Sequence, residues 1–144
     1  MDIVDRFRQK NIKILEIPKW GPYLRKEWEN NFASHLNEKE KKAIHLLDEG
    51  GFGGYLWHLF SYKKKDCLEG ENAKKAFNSA RKNKIYVFFQ HSDFALLLEN
   101  ASTLHTEDLI DEIGTDMYIV DKQFRWTFIL THETGWLGPY FSRK

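Results

Sequence analysis

Residues 85–99 read Ile85-Tyr86-Val87-Phe88-Phe89-Gln90-His91-Ser92-Asp93-Phe94-Ala95-Leu96-Leu97-Leu98-Glu99. The opening run is apolar at both odd and even positions, as a strand covered on both faces requires. Gln90-His91-Ser92-Asp93 has the composition of a turn, and Phe94–Glu99 returns as a second strand. The chain therefore contains a sheet with a buried centre.

Toward the C-terminus, Met117–Asp121 and Arg125–Thr131 read as a hairpin around Asp121-Lys122-Gln123-Phe124. Phe124, Trp126, Phe128 and Leu130 share one face, while Arg125, Thr127, Ile129 and Thr131 share the other. A half-polar face places this pair near a sheet edge. Gly135–Phe141 is too apolar to float free and is expected to tuck against the body.

Upstream, Tyr55-Leu56-Trp57-His58-Leu59-Phe60-Ser61-Tyr62 reads as a strand from its aromatic content, after a turn at Gly50-Gly51-Phe52-Gly53-Gly54. Asn11–Pro18 is a short strand ended by proline, and Pro22 suits the first turn of a helix. Leu24, Trp28, Phe32 and Leu36 recur every four residues and share one helical face. Asn37 and Glu40 have capping-box spacing for a second helix, with Ala43, Leu46 and Leu47 apolar and Gly50-Gly51 at its end. Asn72 is placed to cap a helix through Ala80, and Thr106 a short helix Glu107–Ile113 stopped by Gly114. The predicted class is α+β, with an antiparallel sheet of about five strands. An N-terminal helical pair and short helices pack on one side of it, within a single globular domain spanning 1–144.

The 144 residues suit one domain, and 42% hydrophobic with 30% charged side chains excludes a disordered chain. With 5 Trp, 6 Tyr and 11 Phe, rings are abundant enough to build a bulky core. Cys67 is the single cysteine and forms no intramolecular disulfide. The start Met1-Asp2-Ile3-Val4-Asp5-Arg6 lacks secretory character, and no apolar run approaches the roughly 20 residues of a spanning helix. The expected location is the cytoplasm, with no membrane association.

A net charge of +1 conceals a regional split. Lys63–Lys84 carries eight basic and three acidic side chains, whereas Asp93–Asp121 carries eight acids and no Lys or Arg. Solvated faces account for this, and so does a polarised surface that steers a basic protein partner onto an acidic lobe. On the second reading the contact residues are Glu107, Asp108, Asp111, Glu112 and Asp116. The near-neutral total argues against binding nucleic acid, which would act through Lys63–Lys84.

Candidate chemistry centres on six histidines. His91-Ser92-Asp93 and His132-Glu133 pair imidazole with carboxylate, so His91, Asp93, His132 and Glu133 are the candidates for a histidine/carboxylate site. No zinc spacing is present, and the Cys pair of a nucleobase deaminase is missing, so no metal or cofactor is assigned. Cys67 follows Lys63-Lys64-Lys65, whose charge favours a thiolate nucleophile, against the ordinary role of a small buried hydrophobe. The Gly50–Gly54 cluster lacks the Gly-Lys-Ser/Thr ending of a phosphate loop. The rings and lysines of Tyr55–Lys65 suit base stacking, but the charge balance favours core aromatics beside a wet lysine run.

Glu16-Ile17-Pro18-Lys19-Trp20-Gly21, Gly54–Tyr62, Tyr118–Lys122 with Phe124 and Trp126-Thr127, and Thr131-His132-Glu133-Thr134-Gly135 with Gly138-Pro139-Tyr140-Phe141 together carry a resemblance. They resemble a small bacterial family of unknown function with members of about this length, chiefly in bacilli. The resemblance implies no activity and transfers no catalytic residue. More loosely, the hairpin looks like one found in bacterial immunity proteins that neutralise toxins. The expected function is a non-catalytic protein-binding module, of which an immunity-type inhibitor is one form. The alternative is a small hydrolase or metal-dependent enzyme built on the histidine/carboxylate site.

Overall fold

A computed structural model describes residues 3–47, 54–112 and 115–144, apart from the side chains of 110–112. In chain order its elements are α1 (Ile3–Gln9), β1 (Lys13–Glu16), α2 (Gly21–Phe32), α3 (Glu38–Ala43), α4 (His58–Ser61), β2 (Leu68–Glu69) and α5 (Gly70–Ser79). There follow β3 (Lys84–Phe89), β4 (Ala95–Glu99), a 3₁₀ helix (Thr106–Glu112), β5 (Met117–Asp121), β6 (Trp126–Leu130) and β7 (Tyr140–Arg143). The strands form one antiparallel sheet in the order β1-β4-β3-β5-β6-β7-β2. The class is α+β as expected, but the sheet has seven strands rather than about five.

Strand β3 is covered on both faces, as its unbroken apolar run requires. Ile85 and Val87 join a layer built with Phe7 of α1, Ala73 and Phe77 of α5, and Leu109 of the 3₁₀ helix. Phe88 joins a second layer with Leu24, Trp28 and Phe32 of α2 and with Leu59 and Phe60 of α4. Helices thus cover both faces of the sheet, not one side.

Three departures from sequence periodicity have local causes. The hairpin β5–β6 lies in the middle of the sheet, because β7 and β2 add beyond β6. Its half-polar face is tolerated since buried Thr127 receives the Trp28 indole N–H at 3.0 Å and donates to the Ile119 carbonyl at 3.0 Å. Phe124 adopts a positive φ of 57° in the turn and packs in the α2 layer, away from Trp126, Phe128 and Leu130.

Tyr55–Tyr62 is not a strand. It makes turns and the short helix α4, because its buried residues Leu56, Trp57, Leu59 and Phe60 have helical rather than alternating spacing. The tail does more than tuck in, since Tyr140–Arg143 is the strand β7 paired with β6.

Helix α2 buries Leu24, Trp28 and Phe32 as the spacing predicts, with proline in its first turn. Helix α3 has the predicted capping box between Asn37 and Glu40 but stops at Ala43. His45, at φ 56°, ends it: its N–H reaches the Lys42 carbonyl and the Leu46 N–H reaches that of Lys41. Helix α5 starts at Gly70 rather than after Asn72. Helix α1 gave no advance signal. Gly50, Gly51, Phe52 and Gly53 of the predicted turn, and the predicted stop at Ile113-Gly114, lie outside the described residues. Among the described residues no helix is long and apolar enough to cross a membrane.

Lys82, one of the eight basic side chains of Lys63–Lys84, is buried rather than part of a solvated face. Its ammonium donates to the carbonyls of Phe77 at 2.7 Å, Ala80 at 3.1 Å and Asn78 at 3.4 Å, capping the end of α5. Burial pushes its pKa down to about 8. The folded chain therefore binds fewer protons at this site than the unfolded chain between pH 8 and the ordinary lysine value. Unfolding free energy is expected to rise with pH across that window. Denaturant titrations at the two ends should show this increment in the wild type and not in Lys82→Met.

Candidate functional site

The strands β3, β5 and β6 end together beside a cleft of about 530 Å³. Phe89, Gln90, His91, Ser92 and Phe94 enter it from the β3–β4 turn. Thr115 and Asp116 enter ahead of β5, His132 enters after β6, and Tyr55 closes the wall from the segment before α4.

Each of these positions has a cause. Arg25 of α2 donates to the carbonyls of Phe89 at 2.9 Å and Ser92 at 2.8 Å, and lies 3.6 Å from the Asp93 carboxylate. The Gly21 N–H binds the Asp93 carbonyl at 2.8 Å, and a Cβ on Gly21 would meet the Ser92 carbonyl oxygen at 2.7 Å. The turn is thus clamped by the start of α2, and only glycine permits the approach.

Buried Gln90 holds the opposite wall. Its Oε1 accepts from the Leu56 N–H at 3.1 Å and from the Tyr118 hydroxyl, and its Nε2 donates to the Gly54 carbonyl. The Tyr118 oxygen in turn accepts from the Trp57 N–H at 3.2 Å. Full burial pushes the Tyr118 pKa well up, so the phenol keeps the proton it donates.

His132 stands on a loop wound around Thr131. The Thr131 hydroxyl donates to the Leu137 carbonyl at 2.7 Å and accepts from the Glu133 N–H at 3.0 Å. Asp116, whose side chain is 4% exposed, accepts the His132 backbone N–H at 2.9 Å. It also accepts His132 Nδ1 at 3.0 and 3.1 Å. A carboxylate only accepts, so Nδ1 carries a proton, and in the neutral ring Nε2 is the nitrogen with the free lone pair. The Glu133 carboxylate lies 3.7 Å from Nε2, beyond hydrogen-bond reach.

Around Tyr55 the structure gathers imidazoles. Its ring lies 5.4 Å from His91, 5.6 Å from His132 and 5.3 Å from His58. His58 donates Nδ1–H to the Ile44 carbonyl at 2.8 Å, and burial lowers its pKa, with His45 adding to the effect. Asp116 and Glu133 pull the other way. Trp57 packs 5.7 Å from His132, and its buried indole N–H finds no hydrogen-bond partner among the described residues.

Of the residues singled out from sequence, His91 and His132 line the cleft, whereas Asp93 is 70% exposed and pairs with Arg25. Glu133 adjoins His132 from outside the lining. Glu107 is exposed, and Asp108 pairs with Lys10 at 2.7 Å. Asp116 is the buried partner of His132, and the side chains of Asp111 and Glu112 lie outside the described part. Cys67 belongs to a groove beside β2 and β7, and burial pushes its thiol up to about 11. Among the described residues no three His, Cys, Asp or Glu side chains converge as metal ligands.

Sequence reading passed over Tyr55, Gln90 and the inward role of Asp116. The mix of tyrosine, tryptophan and histidine in Tyr55–His58 was the available signal for the first. An exposed imidazole backed by a buried carboxylate, beside a cleft walled partly by aromatic rings, is chemically equipped to take up a proton. The chain belongs to the family described as a domain of unknown function (DUF4275), which matches residues 1–141. No curated protein and no solved structure is similar enough to count as a match.

The Gln90–Tyr118 network generates a direct test. Tyr118→Phe leaves the Trp57 N–H and one Gln90 acceptor position unpaired in the interior, at a cost of about 1–3 kcal/mol. Chemical denaturation should register that loss, and amide exchange at Leu56 and Trp57 should accelerate ahead of exchange in β3.

Proposed function

We propose that the protein is a small hydrolase-type enzyme whose cleft binds a largely apolar small molecule and whose His132 acts as general base. One observation carries this reading: His132, which lines the cleft, donates Nδ1–H to buried Asp116, which leaves Nε2 of the neutral ring as the proton acceptor. A carboxylate behind an imidazole fixes the tautomer, orients the ring and stabilises the imidazolium formed when a proton is taken up. Here the proton would come from water or a substrate hydroxyl brought to Nε2. Tyr55, Phe89 and Phe94 supply apolar wall, and His91 offers a second polar edge.

A protein-binding function has one specific observation in its favour. Trp136, four residues beyond His132, is 88% exposed, as anchoring residues of interfaces often are in the free protein. The acidic surface expected to serve it is reduced, because Asp93, Asp108, Asp116 and Asp121 each engage a basic group within the chain.

A panel of ester, amide and phosphoester substrates screened by turnover tests the enzymatic reading. Any substrate found should lose about a hundred- to ten-thousandfold in kcat/KM with His132→Gln. Asp116→Asn should act in the same direction. Trp136→Ala should leave turnover intact. Unchanged turnover in His132→Gln of wild-type thermal stability would reject the general-base role.

A further inference from the structure

At the far end of the same three strands lies a groove of about 360 Å³ with opposite chemistry. Arg81 and Lys84 approach it from the start of β3, Lys122 from the β5–β6 turn, and Arg125 from the residue before β6. The turn is tied to β3 by a hydrogen bond from the Lys122 N–H to the Lys84 carbonyl at 3.0 Å. One carboxylate, Asp121, shares the lining, but its side chain is 3% exposed and its oxygens are committed. Oδ1 accepts the Arg125 backbone N–H, and Oδ2 accepts Arg125 Nε at 2.6 Å. Among the described residues both terminal nitrogens of that guanidinium remain uncommitted, and no carboxylate pairs with Arg81, Lys84 or Lys122.

We propose that this groove binds a small anion carrying adjacent phosphate groups. Two guanidinium forks match phosphate oxygens geometrically, and two ammonium groups add charge. Four cations against one carboxylate leave a clear positive excess, which suits a multiply charged ligand better than a single carboxylate. Asn83 and Gln123 contribute amide donors. The lining contains no aromatic or aliphatic side chain, so it offers no platform for stacked bases. That absence favours a small phosphate compound over single-stranded nucleic acid. The groove and the His132 cleft are separated by the length of β3, roughly 20 Å for its six residues, so the two sites can be tested independently.

Calorimetric titration of the full chain with inorganic pyrophosphate tests the assignment. The wild type should bind with a Kd below about 1 mM, weakening as salt is added. Arg81→Gln with Lys122→Gln alters two exposed side chains and should weaken binding at least about tenfold without changing the melting temperature. His132→Gln should bind as the wild type does. The proposal is overturned if pyrophosphate gives no binding, if the double variant binds equally well, or if His132→Gln abolishes binding. It is equally overturned if an oligothymidylate binds more tightly than pyrophosphate and loses that affinity in the double variant, since the surface would then be a nucleic-acid site.

Discussion

The double coverage of the central strands governs where chemistry can reside in this protein. Every residue of β5 and β6 is buried, and β3 exposes only Lys84 fully. A polar side chain placed mid-strand would need its hydrogen bonds met in an apolar interior. Thr127 is such a residue, and it is satisfied by Trp28 on one side and by the Ile119 carbonyl on the other. All remaining polar function is displaced to the two strand ends, where turns reach solvent.

At the cleft end, the walls are set before any ligand arrives. Gln90 and Tyr118 hold the segment of Gly54–Trp57 through three hydrogen bonds and are joined to each other by a fourth, and Arg25 pins the β3–β4 turn from behind. Buried polar networks of this kind rigidify when every member is satisfied. The imidazole of His132 therefore stands beside a preformed surface, which is what the proposed general-base role requires.

Local periodicity made much of this legible from sequence. The β3–β4 and β5–β6 pairs, the buried face of α2 and the Asn37–Glu40 capping box all depend on neighbours within a few residues. The outer strands were less visible, because β2 and β7 pair residues more than 70 positions apart. Aromatic content misled at Tyr55–Tyr62, where tertiary packing overrode strand propensity. At the site, His91 and His132 were recognisable by residue type. Asp116 was read as a surface acid, since its burial depends on a partner sixteen residues away. The family match extends along nearly the whole chain but brings no chemistry with it.

The acidic stretch Asp93–Asp121 acquires a different meaning once its partners are known. A run of eight acids suggests a broad negative field, yet four of them work singly, each orienting one basic group. Two of these flank β5: Asp116 immediately before it and Asp121 at its end, both buried. A buried carboxylate is tolerated only with a partner close by. Each finds one beside a terminus of the neighbouring strand β6, His132 at one end and Arg125 at the other. The same short hairpin thus aims an imidazole into the aromatic cleft and a guanidinium into the cationic groove. The two buried carboxylates of this hairpin act as positioning devices for the basic groups beside them.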